Sequence, residues 1–304
     1  MYDILIIGGG PAGMTAALYA RRNGKSALVL EKGGFGGQIT YSPRVQNFPG
    51  TLSMSGNAFA DRMLEQILAQ GADVEVAAAA ELLDEGGTKR VRTEDGTEYE
   101  AKAVILAAGT RHRMLGLPGE TELVGNGISF CAVCDGEYYR GQTVAVAGGG
   151  NSALQEATLL AELCKQVILV QDLDDFTGEE KLVSALLARE NVRALTGTVI
   201  DSIHAPDGAI KSLTLRKKAT GETSDLPCDG LFVAIGLIPE NEAFQNVVPL
   251  DQCGYAAADE SCETGTPGIF VAGDCRAKQV RQLTTAVADG AVAALAACRY
   301  IDSK

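Results

Sequence analysis

Tryptophan is missing from this sequence, histidine occurs only twice, and the eight cysteines include a single C-x-x-C pair. With only His112 and His204 and no second cysteine pair at finger spacing, a zinc site has too few ligands, so no metal is expected. Excess positive charge is lacking as well. The formal net charge of −13 leaves no basic footprint for a nucleic-acid partner. No apolar run reaches the length of a membrane span, and no membrane partner is expected. The first seven residues run directly into a strand, without a basic n-region or small-residue cleavage site, so the reading is a cytoplasmic protein without a signal peptide. In that compartment the scattered Cys164, Cys228, Cys253, Cys262, Cys275 and Cys298 read as small apolar residues, not staples.

What is abundant is glycine, 36 residues gathered in short clusters. Clustered glycine marks backbone that a ligand approaches closely. Residues 4–7 form a short apolar run ending in Gly8-Gly9-Gly10, followed by a helical stretch from Pro11 and a strand over 26–30 that ends in Glu31. The same order recurs later. A run over 143–147 ends in Gly148-Gly149-Gly150, then come a helical stretch and a strand over 166–170 that ends near Asp172. Period-free apolar runs of this kind suit parallel sheets buried on both faces. Each half continues into an alternating segment around a turn (Asp95-Gly96, Thr220-Gly221) and an apolar strand closing on glycine. The expected fold class is α/β, with two Rossmann-like dinucleotide-binding domains. The last 60 or so residues are too few for a third core and are assigned to the first half. That makes a discontinuous FAD-binding domain over 1–114 and 243–304, and a pyridine-nucleotide domain over 115–242 that carries the C-x-x-C.

Both Gly-rich loops fit a pyrophosphate cradle between strand and helix. In the first, Gly8, Gly10 and Gly13 make G-x-G-x-x-G with Pro11 and Ala12 between, and Glu31 is spaced to accept hydrogen bonds from a ribose diol. In the second, Gly148, Gly150 and Ala153 make G-x-G-x-x-A, with Asn151 and Ser152 between. Two such sites in one chain point to a flavin in one and a nicotinamide in the other. Cys131-Ala132-Val133-Cys134-Asp135 lies within the second half. A C-x-x-C at a helix start closes readily into a disulfide, and the helix dipole lowers its thiolate pKa. Neither histidine is expected near the reaction centre, so the proton donor to that thiolate is read as a carboxylic acid.

These motifs together resemble the low-molecular-weight thioredoxin reductases along essentially the whole chain. The resemblance also takes in Gly36-Gly37-Gln38, Asn47-Phe48-Pro49-Gly50, Ala107-Ala108-Gly109-Thr110, Gly273-Asp274 and Arg281-Gln282. It implies a homodimeric oxidoreductase that passes electrons through FAD and the Cys131/Cys134 dithiol to thioredoxin. Cys134 would face the flavin, Cys131 would exchange with the substrate disulfide, and Asp135 would be the general acid–base. Gly37, Gln38, Asn47, Ala108, Gly109, Gly273, Asp274, Arg281 and Gln282 would join the first loop and Glu31 in holding FAD. The two domains of that family rotate to alternate the flavin's partners.

The sequence departs from the resemblance at one place. NADPH-specific members carry His-Arg-Arg after the second-domain strand, where this chain has Gln171-Asp172-Leu173-Asp174-Asp175-Phe176-Thr177. Losing two or three charged contacts to a 2′-phosphate costs roughly 3–8 kcal/mol, on the order of 10²–10⁵ in affinity. Asp172, 22 residues past Gly150, stands near the position of an acid that binds the free ribose diol, so NADH is the expected donor. Two alternatives are carried with it: the same reductase fed by reduced ferredoxin or a flavin carrier, and a regulatory FAD protein without turnover.

Overall fold

The computed structural model describes residues 1–42 and 44–304. Its elements run β1 (Tyr2–Ile7), α1 (Pro11–Arg22), β2 (Ala27–Glu31), α2 (Gly56–Ala69), β3 (Asp73–Val76), β4 (Ala79–Asp84), β5 (Lys89–Thr93), β6 (Glu98–Leu106) and β7 (Thr110–His112). Next come α3 (Glu120–Leu123), β8 (Ile128–Ser129), α4 (Ala132–Asp135), β9 (Thr143–Ala147), α5 (Asn151–Leu163), β10 (Gln166–Val170), α6 (Glu180–Leu187) and β11 (Val192–Leu195). The chain closes with β12 (Thr198–His204), β13 (Ser212–Lys217), β14 (Thr223–Pro227), β15 (Gly230–Val233), β16 (Leu237–Pro239), β17 (Ile269–Val271) and α7 (Leu283–Asp302). Two compact units result, Met1–Arg111 with Ile238–Lys304, and His112–Leu237. The chain passes between them within the short strands β7 and β16.

The first unit holds a sheet in the order β3-β2-β1-β6-β5-β4, with β17 paired beside the C-terminal half of β6. β1 is parallel to β2 and β6, while β4 and β5 are antiparallel additions. The alternation of side chains splits each central strand between two cores. Ile4, Ile6, Val29 and Ile105 face one core, and Leu5, Ile7, Leu28, Leu30 and Leu106 face the other. With both faces covered, no polar residue is tolerated between them, which is why these strands read as unbroken apolar runs. On the first face α7 lies against α1 through small residues. Ala12, Ala16, Ala20, Ala293 and Ala297 are buried there, and a Cβ at Gly290 would come within 2.1 Å of the Ala12 carbonyl oxygen.

The second unit repeats the plan with a parallel sheet in the order β11-β10-β9-β15-β8. Ala145, Ile168 and Leu231 point into one core, and Val144, Val146, Leu169 and Phe232 into the other. An antiparallel sheet β12-β13-β14 covers one side. Among the described residues no helix is long and apolar enough to cross a membrane.

Candidate functional site

In the first unit the β1–α1 turn is shaped by its glycines. Gly8 has φ +111°, and a Cβ there would lie 2.3 Å from the Ala107 carbonyl oxygen at the end of β6. A Cβ at Gly13 would strike the Gly8 carbonyl oxygen at 1.9 Å, so only glycine lets α1 start this close to β1. Gly10 differs. A Cβ there meets nothing within 4 Å among the described residues, so packing in the chain does not require glycine at that point. A ligand that approaches the N-terminus of α1 does. Pro11 opens α1, where its missing N–H costs nothing. The Glu31 carboxylate accepts the Gly9 N–H at 2.6 Å and the Gly33 N–H at 2.9 Å, which fixes it at the end of β2 beside the loop.

Of the other residues expected at a flavin, Gly37, Ala108 and Gly273 lie against this turn, while Asn47 pairs with Gln282 and Arg281 with Asp274. Gly37 and Gln38 begin the 3-10 turn Gly37–Tyr41, a Cβ on Gly37 would lie 3.4 Å from Gly10, and Gln38 donates to the Thr110 carbonyl at 2.7 Å. Ala108 and Gly109 follow β6, their backbone beside Gly8 and Cys275. Gly273, with φ +81°, packs against Ala12 and is fixed by its N–H, which donates to the Asp289 carboxylate at 3.1 Å. Gln282 caps α7 in a reciprocal box with Thr285 and accepts from Asn47 at 3.4 Å. Arg281 donates to the Asp274 carbonyl and lies 4.0 Å over the Tyr255 ring. One group is left with chemistry to spare. Asp274 Oδ1 is buried without a hydrogen-bond partner, the Lys278 ammonium standing 3.7 Å away, and burial raises its carboxyl pKa against the charges of Lys278 and Arg281. A buried acceptor of this kind calls for a donor outside the chain. The glycine cradle, the diol-spaced Glu31 and this carboxylate fit a flavin dinucleotide.

The second unit builds the same turn. Gly148 has φ +127°, and a Cβ would lie 2.5 Å from the Ala234 carbonyl at the end of β15. Asn151 and Ser152 are exposed at the start of α5, and Asn151 Oδ1 accepts the Glu179 N–H at 2.7 Å. The side chain tucked beside the middle glycine is Gln171, which the sequence reading passed over. It lies 21 residues beyond Gly150, as Glu31 lies 21 beyond Gly10. Gln171 is buried, and a Cβ on Gly149 would touch its amide. Asp172 is the next residue outward, exposed, with its carboxylate 3.8 Å from the Lys218 ammonium. Asp174 and Asp175 are exposed beside it.

The cysteines stand apart from that turn in sequence but share its unit. Cys131 and Cys134 form a disulfide, with Cys131 the N-cap of α4 and its Sγ accepting the Cys134 N–H at 3.2 Å. Ser129, at the end of β8, orders the group. Its hydroxyl accepts the Cys131 N–H at 3.1 Å and donates to Asp135 Oδ2 at 2.6 Å. Asp135 Oδ1 is buried without a partner, and burial raises the carboxyl pKa against the opposing effect of the Ser129 bond. Asp135 therefore keeps a proton to higher pH than an ordinary aspartate and has one oxygen free to move it. Val133, between the two cysteines, and Tyr138, four residues beyond Cys134, are exposed. The expectation that both histidines lie away from the centre needs correction at His112, whose ring stacks at 4.1 Å on Phe130, the residue before Cys131. Seventeen residues of chain separate His112 from Phe130, and only the fold returns their rings to contact. Burial lowers the His112 pKa to about 4, so the imidazole is neutral and holds no proton to give at neutral pH.

Five of the six remaining cysteines are buried, and Cys253 is exposed. Burial pushes Cys228 and Cys262 up to about 12 and Cys164 and Cys275 up to about 11, which keeps them as thiols.

Residues 2–290 match the family model described as pyridine nucleotide-disulphide oxidoreductase. A thioredoxin reductase of Bacillus subtilis is 38% identical over 302 residues, covering 99% of this chain and 95% of that one. The crystal structure of thioredoxin reductase from Streptococcus pyogenes superimposes with a TM-score of 0.94 at 37% identity, over 100% of this chain and 99% of the other. The thioredoxin reductase from Giardia duodenalis gives 0.92 at 29% identity, over 99% of each chain. Twin nucleotide turns, a C-x-x-C disulfide held in the second of the two units, and this similarity along the full length make the chain a member of the pyridine nucleotide-disulphide oxidoreductase family, in its low-molecular-weight thioredoxin reductase branch.

Proposed function

We propose that this chain is a thioredoxin-disulfide reductase that takes electrons from NADH. The observation that carries the reading is the Cys131–Cys134 disulfide with the buried, half-satisfied Asp135 beside it. FAD, bound by the first unit, would accept two electrons from the nucleotide and deliver them to that disulfide. The remaining work belongs to the chain's own groups. Once reduced, the Cys131 thiolate attacks one sulfur of the substrate disulfide. That S–S bond breaks, and the departing sulfur takes up a proton. Cys134 then attacks the Cys131 sulfur of the mixed disulfide, which releases the dithiol substrate and restores the Cys131–Cys134 bond. Asp135 moves the proton at the Cys134 sulfur, and Ser129 holds Asp135 and the Cys131 amide in one arrangement. The exposed Val133 and Tyr138 suit a protein substrate, since they offer apolar contact within four residues of a cysteine. A homodimer and a cytoplasmic setting belong to the same reading.

The choice of NADH rests on residues 171–177. The segment holds no arginine or lysine and three exposed aspartates against the single Lys218 ammonium beside Asp172, so a 2′-phosphate would meet a net negative charge. Asp172 and Gln171 stand at the end of β10 where a free ribose diol would lie, and the intact Gly148–Gly150 turn favours a nucleotide donor over ferredoxin or a flavin carrier. Steady-state reduction of a thioredoxin with each nucleotide tests the reading. The expected kcat/KM is 10²–10⁵ higher with NADH, as the lost phosphate contacts imply. Equal or better turnover with NADPH would falsify the donor, and full thioredoxin turnover by Cys134→Ser would sink the dithiol route.

A further inference from the structure

Helix α5 serves the nucleotide turn at its first residues, yet one side chain on it reaches the redox pair. Glu156 lies six residues beyond Gly150, and the matching position in the first unit, six beyond Gly10, is the fully buried Ala16. A nucleotide-binding helix of this design therefore has no need of a carboxyl there. The Glu156 carboxylate accepts the backbone N–H of Ala132, the first residue between the two cysteines. Ala132 is itself 3% exposed, so this acceptor replaces water that the amide cannot reach. Around Glu156, α4 contributes Asp135, whose charge acts on it. The turn that follows contributes Glu137 and Arg140, which pair with each other at the surface.

We propose that Glu156 is a positioning residue for the Cys131/Cys134 couple: it holds the Ala132 amide of the redox turn and places a negative charge that disfavours the reduced, thiolate form, so that the dithiol is a stronger reductant. The inference rests on these sulfurs being the working couple. A like charge near a thiolate raises its cost, and a less stabilised reduced form gives electrons up more readily. Burial, aided by Asp135 and opposed by the Ala132 bond, pushes the Glu156 carboxyl up to about 7, so the charge is present above neutrality.

Glu156→Gln separates the two parts of the role, because the amide oxygen still accepts the Ala132 N–H while the charge is gone. The holoenzyme is equilibrated at pH 8.5 with mixtures of reduced and oxidised dithiothreitol. In that exchange the protein disulfide takes two electrons and two protons, becoming two thiols as the reagent closes its own disulfide. The sulfurs are then trapped with a mass-tagged alkylator, and the state with two extra tags is counted, a readout independent of flavin and turnover. The expected shift is about tenfold toward the dithiol, a potential 29.6 mV less negative. Glu156→Met, apolar and similar in size, guards against a misfolded glutamine variant and shifts the same way. An equilibrium unchanged from the parent, or a shift toward the disulfide, overturns the proposal. Failure of the parent reading looks different: Cys134→Ser would then retain thioredoxin turnover whatever Glu156 does.

Discussion

At the scale of single residues, the redox turn shows polar groups held where water is scarce. Ser129 satisfies one oxygen of Asp135 and one amide of Cys131, and it leaves the other oxygen of Asp135 open. His112 is the converse case, a base kept neutral by burial against Phe130. Its folded pKa of about 4 lies below the unfolded value near 6.5, so between those limits the unfolded chain binds the extra proton. The stability His112 confers is therefore complete above about pH 6.5 and is lost as pH falls through about 4, by up to about 3 kcal/mol. Urea unfolding between pH 4 and 7 should show a fall in the parent that is shallower in His112→Phe. Equal slopes in the two proteins would remove His112 from the account.

At the scale of elements, the central strands were legible because burial on both faces forces continuous apolar runs. The long C-terminal helix Leu283–Asp302 is alanine-rich, a composition that favours helix wherever it packs. Other elements were not read from the sequence. Helix Gly56–Ala69 carries Phe59, Met63 and Ile67 at helical spacing, a signal that was there but not used, whereas strand Asp73–Val76 is four residues long, mostly exposed and too short to show a period. The strand Ile128–Ser129 is two residues long, too short for any period, and exists because β15 pairs with it. The α1–α7 contact makes a prediction of its own. Gly290 allows the two helices to touch at the Ala12 carbonyl, a backbone atom that cannot swing aside. Gly290→Val is expected to destabilise the protein by about 3 kcal/mol, as an overpacked core does. A thermal midpoint equal to the parent's would show that the helices part at no cost.

For the whole molecule, two units with separate cores imply two responses to a ligand that binds one of them. Free FAD at about 100 times its Kd should stabilise the unit of Met1–Arg111 and Ile238–Lys304 by about 2.7 kcal/mol. For a unit of that size this is a rise of roughly 5–10 °C in its thermal midpoint. Calorimetry of the chain with and without added FAD is expected to move one transition and leave the other. A single transition that moves as a whole would mean the units melt as one.

By itself the sequence determined what local chemistry can dictate. Gly-x-Gly spacing between apolar strand and helix specifies a phosphate turn, and Cys131 and Cys134, three residues apart, can close only one small ring. Aspartates in place of arginines carry their charge wherever the loop goes. The tertiary structure alone decided which distant side chains meet those motifs. Glu156 faces the redox turn from a helix more than 20 residues away, and His112 stacks on Phe130. Gln171, not its neighbour, fills the place beside Gly149. The physical reason is that local signals arise from backbone geometry and burial over a few residues. Contacts between elements follow from how sheets and helices stack, a consequence of the chain as a whole that no short window of sequence contains.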